Sequence, residues 1–425
     1  MIGNGRNNMK LGSIIKYYRL KNHLTQSELA QDICSISHLS KIENNSYDGN
    51  AETVELLLKK LNVNMEQEEE KYEELKEALQ SFYDTMVFYD FETADKQYAA
   101  YLRDMEEFAS STDLINLYHL YLFKYYNHKR DYEKINQTQR VIEKLHNNFS
   151  PFENLLYSFF IGLYLMSENR IVEANEQFVA LMSYNPAEAI TFNGELYYQN
   201  ALCATRLNDP EKSIIQANKA LNIYQNENNF LRIIHTKMIL GISYMRLEMY
   251  REAAEIYRSL IRITRLLSMK ELYYQVLYNY SAMLTEMGEY KKAKELLQEC
   301  RGAFHKGSLE DIINKLTYIE TLIKLNVNTL EISPLIEEVL DLCNKKTHKK
   351  YIILAKMYKY QLFSQQKYYT FLENIVYPYY MDNNHFSEAR DVVLQLAEKY
   401  SETGETNKSL DYYNQYIELS KKGAL

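Results

Sequence analysis

Ser37, His38, Lys41 and Asn44 lie in the stretch SISHLSKIEN (residues 35–44) at intervals that place them on one face of a helix. They are short hydrogen-bonding side chains plus one cation, the combination that reads base edges and grips phosphate oxygens. On the other face Ile36, Leu39 and Ile42, spaced by three, form a stripe to be buried. Upstream, Thr25-Gln26-Ser27-Glu28 is a T-x-x-E capping box that starts a helix running to about Ile33, and a tight turn at Cys34 follows. Two short helices joined by a tight turn, the second with a polar face, make a helix-turn-helix.

The elements that must hold this pair flank it. LGSIIKYYRLKN (residues 11–22) has helical periodicity, with Leu11, Ile14, Ile15, Tyr18 and Leu20 inward and Lys16, Arg19 and Lys21 outward. A closing helix starts from the N-cap Asn50 and buries Val54, Leu57, Leu58 and Leu61. Residues 1–64 carry eight Lys+Arg against six Asp+Glu, so this segment is net +2 in a chain whose total is −8. The acidity belongs to the remainder and does not repel a polyanion from the amino-terminal unit. From Met65 the acid-rich MEQEEEKYEELKEAL reads as a solvated linker helix over residues 65–76, the alternative being the first turn of the next domain.

At 425 residues, with 46% hydrophobic residues but only 12 Gly and 5 Pro, the chain has core-forming capacity and few helix breakers, which implies an all-α protein of more than one domain. The 40 Tyr and no Trp suit helix packing and groove walls. No Walker loop, H-E-x-x-H or paired Cys/His cluster occurs, and a lone S-x-x-K at Ser13–Lys16 has no accompanying motif. The expectation is a non-enzyme without metal or cofactor. Cys34, Cys203, Cys300 and Cys343 are widely separated, as for reduced, buried thiols. The opening MIGNGRNNMK has no signal-peptide run, and the apolar stretch at residues 155–166 is too short for a bilayer, so a cytoplasmic protein with no membrane partner is expected.

A repeat occupies the remainder. Gly162, Ala201, Gly241 and Ser281 are each followed twelve residues later by a small residue: Ala174, Ser213, Ala253 and Ala293. Larger residues come next, such as Phe178 and Tyr257, and Ala397 with Ser409 repeats the pattern near the end. Small residues let paired helices approach; large ones fill the space beside them. The pattern resembles the tetratricopeptide repeat, whose period is about 34 residues. Here the marks step by 39, 40 and 40, which requires longer helices or longer loops. The fold class is therefore a small helix-turn-helix bundle (1–64) followed by a right-handed α-solenoid of about nine tetratricopeptide-like helix pairs (77–425). A solenoid has a concave face, and one lined by Tyr, Asn, Gln and Arg suits an extended peptide. Candidates on the central first helices are Tyr198, Asn200, His235, Arg246, Gln275, Tyr278 and Asn279.

The frame LGSIIKYYRLKNHLTQSELAQDI…HLSKIEN…TVELLLKKLNV resembles the Xre/Cro-type helix-turn-helix. Its shortened turn, ICxxSxxSKIE, together with the repeats behind it, resembles the RRNPP family of quorum-sensing regulators, of the NprR-like and PlcR-like kinds. The resemblance implies that Gln26 touches the DNA backbone and that Ser37, His38 and Lys41 enter the groove; Asn44, Lys16 and Arg19 complete the DNA-binding set. It implies that Asn200 and Asn279 hold the backbone of a short signalling oligopeptide, which would control oligomeric state and binding to a palindromic operator in double-stranded DNA. A homodimer or higher homo-oligomer is expected on the same ground. The alternative it implies is a repeat protein that binds and inhibits a sporulation phosphorelay response regulator.

Overall fold

The scarcity of Gly and Pro has the expected outcome: 82% of the described chain is helical and no strand occurs among the described residues. The computed structural model describes residues 11–46, 49–183, 193–344, 348–383 and 385–422. The chain divides into two compact units, residues 1–192 and 193–425.

The first unit opens with a four-helix head: α1 (Leu11–Lys21), α2 (Gln26–Ala30), α3 (Ile36–Glu43) and α4 (Ala51–Lys60). Ile15, Leu29, Leu39 and Leu57 are fully buried at its centre, and Val54, Leu58 and Leu61 close the core as the periodicity required. The starts of α2, α3 and α4 are capped. Thr25 and Glu28 form both halves of the capping box before α2, Ser35 accepts from His38 N before α3, and Asn50 accepts from Thr53 N at 2.7 Å before α4. Lys60 Nζ donates to the carbonyls of Glu28 and Gln31 at 2.8 and 3.0 Å, closing the carboxy end of α2.

The acid-rich stretch is not a solvated spacer. It is the first half of one 23-residue helix, α5 (Met65–Val87), in which Glu68, Tyr72, Leu75, Leu79, Phe82, Tyr83 and Met86 are buried. The apolar residues recur on one face, which Glu68 shares, and the other acids lie outside it. With the helix Phe91–Ala100, α5 makes the first of nine helix pairs counted among the described residues. Two further pairs, Ile115–Lys129 with Tyr132–Leu145 and Pro151–Ser167 with Ile171–Met182, complete the first unit.

The second unit holds six pairs, beginning at Asn193 and ending at Lys422. Its period is explained by helix length. Pro210–Asn226, Phe230–Arg246, Tyr250–Leu266 and Lys270–Glu286 are each 17 residues long, and three-residue turns join them. Two such helices and two such turns give the step of 40, so the loops are not the long part. Inside five of the six pairs the turn has one residue in the left-handed region: Asn208, Glu248, Gly288, Asn326 and Gly404 have φ between 51° and 79°.

The repeat marks are a volume match. A Cβ on Gly241 would lie 2.8 Å from Tyr257 Cζ, and Gly162 meets Phe178 the same way. Where the first residue is larger the partner is smaller, as in Ala201 with Ala217 and Ser281 with Leu297, all fully buried. Polar members of the seam bond to one another: Ser213 Oγ lies 2.7 Å from Thr205 Oγ1 and 2.9 Å from Ser243 Oγ, and Thr285 Oγ1 is 3.0 Å from Thr321 Oγ1. The 372–376 segment is a π-turn, followed by Pro378, which has no backbone N–H to donate.

Candidate nucleic-acid interface and candidate peptide trough

On α3, Ser37, Lys41 and Asn44 are exposed and His38 is half-buried, so these four share one accessible face. Leu39 and Ile42 are buried beneath it. Ile36, expected in the buried stripe, is instead 51% exposed: at the first turn of α3 it projects past the core, beside Ser37. Lys16 is exposed on α1.

Two members of the expected DNA-binding set are used inside the head. Arg19, expected outside, is buried, and Leu20, expected inside, is 55% exposed. Arg19 Nε and Nη2 pair with the two carboxylate oxygens of buried Glu43 at 2.6 and 3.0 Å, and Nη1 donates to the Leu24 carbonyl at 2.8 Å. Gln26 Nε2 donates to the same carboxylate at 2.8 Å. Arg19 follows Ile15 by four residues and so shares its inward face; a partner 24 residues away makes burial of the charge tolerable. This three-residue lock ties α1, the start of α2 and the end of α3, and it sets the angle at which α3 is presented. A second tie runs from Asn45 Nδ2 to Ser13 Oγ at 2.8 Å.

In the second unit the candidate peptide residues fall into two groups. Tyr198 and His235 stand with a pair the sequence reading passed over, Glu195 and Arg232. Arg232 is buried, pairs with Glu195, and lies 4.1 Å from the centroid of the Tyr198 ring. Tyr224 Oη donates to Glu195 at 2.8 Å. Burial, assisted by the Arg232 charge, pushes the His235 pKa down to about 4, so this imidazole is neutral at physiological pH. Asn200 is fully buried, so its side chain does not lie on the open face, a correction to the expectation that it holds a guest backbone.

The second group is Arg246, Gln275, Tyr278 and Asn279. Gln275, Tyr278 and Asn279 are half-buried, and Tyr278 Oη lies 3.3 Å from Thr317 Oγ1. Arg246 is exposed at the end of its helix, where it donates to the Thr205 carbonyl. It also feels the charges of Glu286 and, from the last pair, Glu388. Arg246 and Glu286 belong to neighbouring helix pairs, and Glu388 belongs to the last pair of the unit. Glu286 was missed, although it sits forty residues after Arg246 in the same repeat position.

Two surface cavities lie elsewhere. One of about 520 Å³ is lined by Glu77, Gln80, Asp84 and Phe88 on α5, and one of about 300 Å³ by Gln365, Tyr369, Glu373 and Tyr400. Among the described residues no helix is long and apolar enough to cross a membrane, and no group of three His, Cys, Asp or Glu is placed to hold a metal ion.

Against known proteins, the helix-turn-helix family HTH_3 matches residues 15–67. The transcriptional activator NprA of Geobacillus stearothermophilus is 22% identical over 403 residues, covering 92% of this chain and 99% of NprA. The regulatory protein RapD of Bacillus subtilis (strain 168) is 30% identical over 123 residues, which span 28% of this chain and 35% of RapD. The crystal structure of NprR in complex with its cognate peptide NprX shares the fold, with a TM-score of 0.67 at 23% identity, covering 82% of this chain and 98% of that one. The resemblance to RRNPP-type regulators is thereby borne out: the chain begins with a helix-turn-helix of the HTH_3 family, is a homologue of the NprA activator over nearly its whole length, and has the all-helical repeat fold of NprR.

Proposed function

We propose that this chain is a peptide-responsive, DNA-binding transcriptional regulator. A head of residues 1–64 reads an operator, residues 65–76 begin the helix that leaves it, and the repeats of residues 77–425 bind a short signalling peptide and mediate oligomerisation. The observation that carries the reading is the exposed Ser37–Lys41–Asn44 face of α3, held by the buried Arg19–Glu43–Gln26 lock. Ser37 and Asn44 offer hydrogen bonds to base edges, Lys41 and Lys16 offer charge to phosphates, and exposed Ile36 offers an apolar contact for a thymine methyl. Arg19 and Gln26 act on the angle of α3 and not directly on DNA. The peptide supports the reading through NprR, whose structure holds NprX. A cytoplasmic location follows from these two ligands.

The test is operator selection from random duplexes with the full chain, with and without a co-selected peptide. Enrichment of a palindrome, abolished by Lys41→Ala with Ser37→Ala while peptide binding persists, is the expected result. Absence of any sequence preference at moderate salt rejects the DNA role.

A second reading is favoured by the similarity to RapD: the repeats bind a response regulator and restrain sporulation. Deleting residues 1–64 separates the two. A regulatory effect that survives the deletion belongs to the repeats alone.

A further inference from the structure

Within the first unit, Tyr17, Tyr18 and Arg19 are consecutive on α1, yet each is held by a different element. Arg19 turns into the head and pairs with Glu43 at the end of α3. Tyr18 and Tyr17 turn toward the first repeats. Tyr18 Oη donates to Glu68 on α5 at 2.5 Å, and the Tyr17 ring meets the edge of Phe108 with centroids 6.2 Å apart. Lys71 Nζ, one turn further along α5, lies 4.0 Å from the Phe108 centroid and 5.7 Å from that of Tyr17. One ammonium therefore bridges a ring of the head and a ring outside it. Val63 and Met65, where the chain enters α5, pack against the head's own core.

Phe108 sits in an unusually long connection. Residues 227–229 and 267–269 suffice to join later helix pairs, whereas residues 101–114 join the first pair to the second. This connection is folded. Leu102–Asp104 and Glu106–Ala109 are short helices, and Leu102, Phe108, Ala109, Ser111 and Thr112 are buried. Tyr118 Oη donates to the Leu102 carbonyl at 2.8 Å, and Tyr72 Oη, from α5, donates to Asp113 at 3.0 Å. An ordered connection of this length does more than turn the chain: it brings Phe108 against Tyr17. The head so seated keeps its reading face open, because Ser37, Lys41 and Asn44 remain exposed. Two ties from α1, the Arg19–Glu43 pair and the bond between Ser13 and Asn45, carry the position of the seat to α3 and the residue that follows it closely.

We propose that α5 and the 101–114 segment form a seat that fixes the direction of α3 relative to the first repeats, so that Tyr17, Tyr18, Lys71 and Phe108 determine which half-site spacing the assembled protein accepts. This role rests on the DNA-binding reading and the repeat-mediated assembly above, and deepens both. A head on a loose tether follows its half-site to several spacings. A seated head does not, because each added base pair turns the second half-site by about 34° and moves it by about 3.4 Å. The four are positioning residues, acting on DNA only through α1 and α3.

The experiment selects random duplexes with the full chain, with and without a co-selected peptide, and reads the spacing between paired half-sites among the recovered sequences. In the wild-type chain one spacing is expected to exceed those one base pair longer or shorter by roughly tenfold or more. In Tyr17→Ala with Lys71→Ala the excess is expected to fall to about threefold or less, with the half-site sequence unchanged. Tyr17 and Lys71 are half-buried, and the fully buried Phe108 is left in place. Lys71→Gln alone serves where the double variant does not fold, as judged by circular dichroism. Several spacings recovered alike by the wild-type chain, or single half-sites only, overturn the seat and leave the DNA reading standing. So does a folded variant that keeps the single spacing, changes the half-site sequence or recovers no duplex, since an unseated head still reads a half-site. No sequence preference at moderate salt in the wild-type chain overturns the DNA reading and the seat with it.

Discussion

The hydroxyl of Tyr18, on the first helix of the head, donates to Oε1 of Glu68 at 2.5 Å across 50 residues of chain. Glu68 is buried on α5, and its other oxygen has no partner among the described residues. Around this bond Tyr17 meets the edge of Phe108 at 6.2 Å, and Lys71 Nζ lies 4.0 Å from the Phe108 ring centroid. The helix-turn-helix is thus seated on the first repeat. Tyr18→Phe leaves a buried carboxylate with both oxygens bare, at a cost of about 1–3 kcal/mol. Hydrogen exchange of α1 should speed up accordingly, and Glu68→Met in the same chain should recover part of the loss. Exchange unchanged in Tyr18→Phe would show that the bond adds nothing.

The Arg19–Glu43 pair separates holding the reading helix from reading. Glu43→Gln strands a buried guanidinium, for about 3–5 kcal/mol, and should lower the protection of α3 amides and DNA affinity together. Lys41→Ala should lower affinity with protection intact.

Under the proposed DNA role, Lys41 contacts phosphate. Its removal should weaken binding to all duplexes alike and reduce the slope of log K against log salt by about one per head. A change in which base is preferred, at constant slope, would assign it to base reading instead.

The Gly241–Tyr257 contact predicts a compensating pair. Gly241→Ala forces a methyl against the Tyr257 ring and should cost about 1–3 kcal/mol. Tyr257→Leu added to it reproduces the smaller partner used opposite Ser281 and should restore part of the melting temperature. Additive losses would mean that the two positions do not share the space.

His119 gives a pH signature in the first unit. It is buried, and burial pushes its pKa down to about 4 from 6.5, the weak approach of exposed Glu106 at 3.7 Å notwithstanding. The unfolded chain therefore binds more protons between these values, so stability is full above about pH 6.5 and falls as pH drops toward 4. The loss attributable to this residue is about 3 kcal/mol. His119→Gln should flatten that part of the stability curve, measured by denaturant unfolding of the full chain at successive pH values.

Local rules carried much of this protein. Capping chemistry placed the starts of α2 and α4, three-residue spacing placed Leu39 and Ile42 in the core, and small residues forty apart marked the helix pairs before any coordinates. The polar face of α3 followed from the same geometry, because the side chains of a short helix are fixed by 100° per residue. The tertiary structure decided what depends on a distant partner. Arg19 and Leu20 exchanged places because Glu43 waits across the head for a guanidinium, and no local window contains both. The acidic stretch after Met65 looks solvated until Tyr72, Leu75 and Leu79 find a surface to cover. Burial and pairing are properties of two segments at once, and a sequence read one segment at a time holds only half of each.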